Sequence, residues 1–260
     1  MKLRVLGPLE ICTGDGSVPL SPKLRDLLAL LLCHSNRTIS ADRLIDALWP
    51  HTTPRTAAKT LQGYVHHLRR ALGPDRLVFR PPGYVLVTQS GELDADCFTA
   101  RVQSGRQAIA AGETDRGTHL IREAFALWRG VPYDGQDHLH PTHAEAYRLT
   151  ELRLSAAEEW AEVELARRHH TEVACELHGI VAEHPFRERP RAQLMRALYA
   201  TGRTVEALDV AREGRRRLAE DLGLDPSPAL QRLEQAILTH DPTLTDLAPR
   251  SGRLHDSAQM

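Results

Sequence analysis

Arg55, Lys59, Gln62, His66 and Arg70 recur at steps of three and four. That spacing brings side chains onto one stripe of a helix that turns about 100° per residue. Such a stripe offers cations to phosphate oxygens and a Gln amide to a base edge. No Asp or Glu stands between Asp46 and Asp75, so no carboxylate there repels a polyanion. The opposite stripe, Ala57, Leu61, Tyr64, Val65, Leu68 and Leu72, supplies an apolar docking side. The chemistry implied is non-covalent reading of a duplex through its major groove. Lys59, Gln62 and His66 are the candidates for base edges: Gln suits adenine, Lys reaches guanine O6 or N7, and His pairs with a base or a phosphate. Arg55 and Arg70 are expected to clamp phosphates on either side, with Thr56 and Thr60 assisting. Gly63 costs about 1 kcal/mol of helix propensity within this stripe, a cost that points to close backbone approach. The competing reading is a solvated helix face that happens to be basic.

The elements around this helix form an ordered set. Residues 3–20 alternate in short bursts broken by Gly7-Pro8 and Gly14-Asp15-Gly16, which predicts a small β-meander. Ser21 as N-cap and Pro22 at the first position open a helix whose apolar face is Leu24, Leu27, Leu28, Leu31 and Leu32. RTIS is a short strand, and Ser40 caps a second helix that buries Leu44, Ile45 and Leu48 and stops at Pro50. The third helix is expected from Pro54 to Leu72, roughly 28 Å long, so its N-terminal half is the part that enters the groove. LVFRPPGYVLV then reads as a hairpin around Pro-Pro-Gly. Strands, three helices and a hairpin make a winged helix-turn-helix. Lys23 and Arg25 on the first helix and Arg43 on the second are candidates for the phosphate backbone. Arg80, before the wing turn, is placed for an adjacent minor groove, with a cross-strand ion pair as the equal alternative.

The charge distribution agrees with that front module. Net charge over the 260 residues is −1, yet residues 1–90 hold 12 Lys and Arg against 6 Asp and Glu, whereas the remaining 170 hold 21 against 28. A basic front and an acidic rear imply nucleic acid for the first and protein contacts for the second. The longest apolar run is Leu27 to Cys33, too short for a membrane span. Nor does the N-terminus carry a signal-like segment. Cys12, Cys33, Cys97 and Cys175 lack metal or redox spacing and read as buried thiols of a reducing, cytoplasmic compartment.

Polar residues from Ser90 to Asp96 read as a linker, and the chain beyond Phe98 is helical in texture to about Leu238. ARRHHTEVA (166–174) aligns with ATGRTVEAL (200–208) at an offset of 34 residues, the tetratricopeptide period. In this alignment Glu172 meets Glu206, Val173 meets Ala207 at the small position of the helix crossing, and Arg168 meets the turn residue Gly202. A further copy falls at 110–128, with Gly112 in the turn and Gly117 at the small position. Three such pairs stack into a continuous core; a plain helical bundle is the alternative. The fold class expected is mainly α with a small β part: a winged helix-turn-helix over 1–90, an all-α tetratricopeptide-like domain over 94–240, and a flexible tail over 241–260.

Asp137, His138, His140 and His143 fall within seven residues, as in some zinc sites. Pro141 would break the helix needed to align them, and HExxH spacing is absent. No nucleophile elbow or dinucleotide glycine motif is present, so neither an enzyme nor a cofactor is expected. A helical-repeat adaptor, or a ligand or metal sensor, whose winged helix makes only protein contacts is the alternative function.

Taken together, RVLGPLEI, NRTIS through DRLIDALWP, TLQGYVHHLRRALG and PPGYVL at the front resemble the Streptomyces antibiotic regulatory protein family. ALWRG (126–130), EHPFRER (183–189), LMRALYATGR (194–203), EALDVAR (206–212) and LAEDLGLDPSPALQRLEQAIL (218–238) resemble the family's bacterial transcriptional activator domain. The resemblance implies an OmpR-type winged helix followed by a tetratricopeptide-like activation domain. It further implies binding to direct repeats of promoter DNA beside the −35 element and recruitment of RNA polymerase, sigma factor included, at antibiotic biosynthetic genes. Tandem or homodimeric binding on DNA and a cytoplasmic, nucleoid-associated location follow from the same resemblance. By that resemblance the loop Trp49, His51, Thr52 and Thr53 is the polymerase-contact candidate, Trp49 being half core. The chain lacks GxxxxGK[ST] and has two residues before its first strand, so it resembles the short form without a phosphorylatable receiver.

Overall fold

The computed structural model describes residues 1–14, 16–241 and 244. They divide into a compact unit ending at Arg153 and a second beginning at Leu154.

The first unit opens with an antiparallel sheet of β1 (Lys2–Arg4), β2 (Glu10–Thr13) and β3 (Gly16–Ser17), with Leu3 opposite Ile11. Helix α1 (Pro22–Leu32) follows. Pro22 stands at its first position as expected, but Ser21 makes no side-chain cap. Strand β4 (Ile39–Ser40) leads into α2 (Ala41–Leu48), where the Ser40 hydroxyl does accept from the Arg43 amide at 3.3 Å. Helix α3 (Ala57–Leu72) starts three residues later than the sequence suggests. Pro54 instead closes a turn in which its carbonyl accepts from the Ala57 amide at 2.9 Å. Strands β5 (Leu77–Arg80) and β6 (Gly83–Leu86) form the wing, and β4 joins them in the order β4-β6-β5. The two-residue turn is Pro81-Pro82; Gly83 already pairs with both Arg80 and Ser40. A Cβ at Gly83 would lie 1.9 Å from the Ile39 carbonyl oxygen, so only glycine lets β4 and β6 meet there.

Leu27, Leu28, Leu30 and Leu31 of α1, Leu44 and Leu48 of α2, and Leu61, Val65 and Leu68 of α3 are buried against one another. Each large aliphatic side chain removed from water in this way contributes about 1.5–3 kcal/mol before conformational entropy is subtracted. That core fixes α3 by its apolar stripe and leaves the other stripe outward.

The stretch from Ser90 to Asp96 is no free linker. It is a strap tied at both edges. Arg76 holds Glu92 by two guanidinium nitrogens, one at 2.7 Å, and Glu92 also accepts from the Gln89 amide. Asn36 and Thr88 exchange two hydrogen bonds, at 2.8 and 3.0 Å. Asp94 accepts from the amides of Val5 at 2.8 Å and Leu6 at 3.1 Å, while the carbonyls of Val5 and Leu6 accept from Tyr133 and Arg129. Buried backbone groups must find partners, and the strap supplies them. Burial pushes the Asp94 carboxyl pKa up, opposed by those two amides and by Arg129. At Glu92 the Arg76 guanidinium pulls the pKa down, against burial.

The helices beyond are α4 (Asp94–Ala110), α5 (Thr114–Phe125), α6 (His140–Ala166), α7 (His170–Glu183), α8 (Glu188–Ala200), α9 (Thr204–Arg217) and α10 (Pro228–Leu238), with a π-helical turn at Leu218–Leu222. The repeat is visible in backbone hydrogen bonds. Glu113 donates to Ala108, His169 to Glu164, and Arg203 to Leu198, each at 2.9 Å. Each bond closes a Schellman turn around Gly112, Arg168 or Gly202, all with positive φ. Asp241 to Ala236 around His240 is a fourth, ending α10. Helices α4 and α5 cross where a Cβ on Gly117 would meet Ile109 at 2.5 Å, and one on Gly105 would meet Ile121 at 2.6 Å. Gly117 is thus the small crossing residue that the repeat alignment predicts. Of the tail expected over 241–260, only Asp241 and Leu244 fall among the described residues.

Candidate nucleic-acid interface

The buried side of α3 is Ala57, Leu61, Val65, Leu68 and Leu72. Tyr64 is half-buried and stacks on Trp49, ring centroids 6.3 Å apart. Lys59, Gln62, His66 and Arg70 are exposed on the far side, and Arg55 and Thr56 are exposed just before the helix. Thr60 is half-buried, its hydroxyl donating to the Thr56 carbonyl at 3.0 Å. The first turn of α3 holds no acid and has no side-chain cap, which leaves its N–H dipoles for an outside acceptor. A Cβ on Gly63 would meet nothing within 4 Å. Nothing inside the protein therefore requires glycine at that position.

The 12 cations of residues 1–90 sort into two sets. Five have internal partners. Lys2 donates to the Gly91 carbonyl, Arg4 lies 3.7 Å from Glu10, and Arg69 donates to the Leu77 carbonyl at 2.8 Å. Arg76 holds Glu92. Lys23 reaches the Leu48 carbonyl at 3.1 Å and Asp26 at 3.4 Å, so it secures the end of α2. The other seven, Arg25, Arg37, Arg43, Arg55, Lys59, Arg70 and Arg80, are exposed, and their side chains have no ion pair or hydrogen bond among the described residues. The cross-strand ion pair weighed for Arg80 does not form.

Sequence reasoning passed over Arg37 and His67. Arg37 is exposed in the turn before β4, a position without periodic pattern to mark it. His67 is exposed beside the reading stripe, its Nδ1 2.8 Å from the Gly63 carbonyl oxygen; that contact leaves Nε2 as the outward nitrogen. In the loop before α3, His51, Thr52 and Thr53 are exposed while Trp49 is held by Tyr64.

The Asp137–His143 stretch does not converge. His138 lies 3.2 Å from buried Asp26, and α6 begins at His140 with Pro141 inside its first turn. Among the described residues no group of three or more His, Cys, Asp or Glu is arranged to hold a metal ion. None of the described helices is long and apolar enough to cross a membrane.

The bacterial transcriptional activator domain matches residues 93–238, and the C-terminal domain of transcriptional regulatory proteins matches residues 15–86. The regulatory protein AfsR of Streptomyces coelicolor is 38% identical over 250 residues, covering 95% of this chain and 25% of AfsR. The regulatory protein DnrI of Streptomyces peucetius is 33% identical over 267 residues, covering 96% of each. The transcriptional regulatory protein EmbR of Mycobacterium tuberculosis is 35% identical over 245 residues, covering 92% of this chain and 63% of EmbR. The chain thus spans a quarter of AfsR and under two thirds of EmbR. A solved structure of Mycobacterium tuberculosis EmbR, in complex with a low-affinity phosphopeptide, superposes with a TM-score of 0.80 at 33% identity, over 95% of this chain and 67% of that one.

Proposed function

The chain belongs to the Streptomyces antibiotic regulatory protein family of transcriptional regulators, and from that premise we propose that it is an activator that reads promoter DNA with α3. The observation that carries this reading is the set of seven exposed cations of the winged module that have no ion pair among the described residues, with α3 packed by its opposite stripe. Like charges held without counter-ions repel one another, and a duplex supplies the missing charge while releasing its own condensed cations.

In this reading Lys59, Gln62 and His66 contact base edges, and Arg55 and Arg70 hold phosphates on either side with Thr56 and Thr60 beside them. Arg25 and Arg43 meet the backbone, and Arg80 on the wing enters the neighbouring minor groove. Lys23 joins them only by leaving Asp26 and the Leu48 carbonyl. The activator binds direct repeats near the −35 element in tandem copies, and His51, Thr52 and Thr53 face RNA polymerase and its sigma factor. Its targets are antibiotic or other secondary-metabolite genes, and it works in the cytoplasm on the nucleoid. It is a regulator, not an enzyme, made of a DNA-binding module over 1–90 and an activation domain over 94–240.

Footprinting on the promoters neighbouring its own gene tests this. Two protected direct repeats beside the −35 element are expected. The absence of any protected site, or protection that persists when Lys59, Gln62 and His66 are all replaced by Ala, would overturn the assignment.

A further inference from the structure

Within the second unit, α7, α8 and α9 line a cleft of about 430 Å³ that opens to solvent, a size that ordinarily holds a small organic ligand. Val181, Pro185, Leu194, Leu198 and Val210 give it apolar walls, and Arg191 also lines it. Arg191 is only 2% exposed. Its Nη1 donates to the Val210 carbonyl at 2.7 Å and its Nη2 to the Pro185 carbonyl at 2.9 Å. A guanidinium has five N–H donors, so two carbonyls leave most of its capacity unused. No carboxylate lies within ion-pair distance of it among the described residues; Glu213 and Glu188 act on it only from farther away.

The chain makes room for this cation. A Cβ on Gly214, inside α9, would lie 2.6 Å from both Cδ and Nε of Arg191. Any other residue there would drive the guanidinium out of its place. The acids that share the lining, Glu206, Asp209 and Glu213, are already matched by arginines on α9 or just before it. Arg203 lies 2.6 Å from Glu206, Arg212 2.8 Å from Asp209, and Arg216 2.7 Å from Glu213. The unmatched charge of the cleft is therefore positive, buried and fork-shaped, the geometry that recognises a carboxylate by two parallel hydrogen bonds.

The geometry points to this cleft as a binding site for a small organic acid with an apolar body, its carboxylate on Arg191 and its body against Val181, Leu194 and Leu198. Such a ligand touches three helices at once, so its binding stabilises their packing and reports on it.

Thermal melting and calorimetry of the full chain with hexanoate, phenylacetate and 4-phenylbutyrate, each beside its uncharged amide, test the assignment. At least one acid raises the melting temperature saturably while its amide leaves it unchanged. Ala182→Trp, at an exposed position on the lining, abolishes the response by filling the mouth. Arg191→Lys keeps the charge but loses the fork, and weakens the acid at least about tenfold. Should Arg191→Lys fail to fold, Ala182→Trp still decides. The site is overturned if none of the acids shifts the melting temperature, if acid and amide act alike, or if the response survives Ala182→Trp. These outcomes do not depend on DNA binding, since neither variant touches the winged module.

Discussion

Arg203, just before α9, and Arg212 and Arg216 on it each have an acid of α9 three residues away, at 2.6, 2.8 and 2.7 Å. Lys59 and Arg70 of α3, and Arg25, Arg37, Arg43, Arg55 and Arg80 around them, make no ion pair among the described residues, even though Asp46 stands three residues beyond Arg43. Both surfaces are rich in cations, and composition alone does not tell them apart. The difference lies in where the counter-charge is. On α9 it is built into the chain, so the surface is electrically finished. On the winged module it must come from outside, and a regular array of phosphates is the outside partner that fits a helix with an apolar back. Exposed pairs like those of α9 add little to stability.

The largest effect expected from this contrast is on DNA affinity. Reversing two unpaired cations, Arg55→Glu with Arg70→Glu, is expected to weaken promoter binding by on the order of 100-fold at moderate salt. Reversing two paired ones, Arg212→Glu with Arg216→Glu, leaves it within about twofold, because their charge is already matched by acids of α9 and releases no counter-ions from the duplex. Gel-shift titration separates the two; equal losses would erase the distinction.

Internally engaged cations behave differently from both sets. Arg76→Ala strands the mostly buried Glu92 carboxylate and is expected to cost about 2 kcal/mol of stability, with little change in the DNA salt response. Because Arg76 pulls the Glu92 pKa below its usual 4.5, the bond stabilises the fold at pH values above that. The stabilisation is lost as pH falls through the lowered folded-state value. Wild type and variant should therefore differ at neutral pH and converge in acid. A gap in denaturant midpoint that stays constant down to strongly acid pH would contradict the role given to this pair.

Gly63→Ala sharpens the contrast within α3 itself. With nothing within 4 Å of the added methyl, the fold gains about 1 kcal/mol of helix propensity. DNA binding nevertheless weakens, since the methyl stands between the helix and the duplex. A variant that melts higher and binds equally well would show that no close approach occurs there. The smallest effect concerns the repeat turns. Arg168 adopts φ 65° where Gly112 and Gly202 occupy the matching turns. Arg168→Gly should then stabilise by about 0.5 kcal/mol and Gly202→Ala destabilise by about 1 kcal/mol, both seen as shifts in denaturant midpoint.

Local patterns carried much of this into the sequence. The buried stripe of α3, the Ser40 cap, the wing strands, the turn glycines and Gly117 at the helix crossing all follow from rules acting within a few residues or from the 34-residue offset. Long-range pairing did not show itself. Ser90–Asp96 has the polar texture of a linker, yet Asp94 serves Val5 and Leu6, 89 and 88 residues away. No periodicity reports such a partner. The same blindness covers the cations: Lys23, Arg69 and Arg76 differ from Arg25, Arg55 and Arg70 only in what the fold brings beside them. Trp49 is stacked on Tyr64, which explains why one aromatic of the loop is half core while its exposed neighbours are not.

The central claim is that the unpaired cations of the winged module meet phosphates and the paired ones of α9 do not. The slope of log affinity against log salt for the promoter duplex measures it most directly, compared among wild type, Arg55→Ala with Arg70→Ala, and Arg212→Ala with Arg216→Ala. The first double variant should lower the slope by about 1.8, near 0.9 for each phosphate no longer neutralised, and the second should leave it unchanged. Identical slopes for all three proteins would contradict the account.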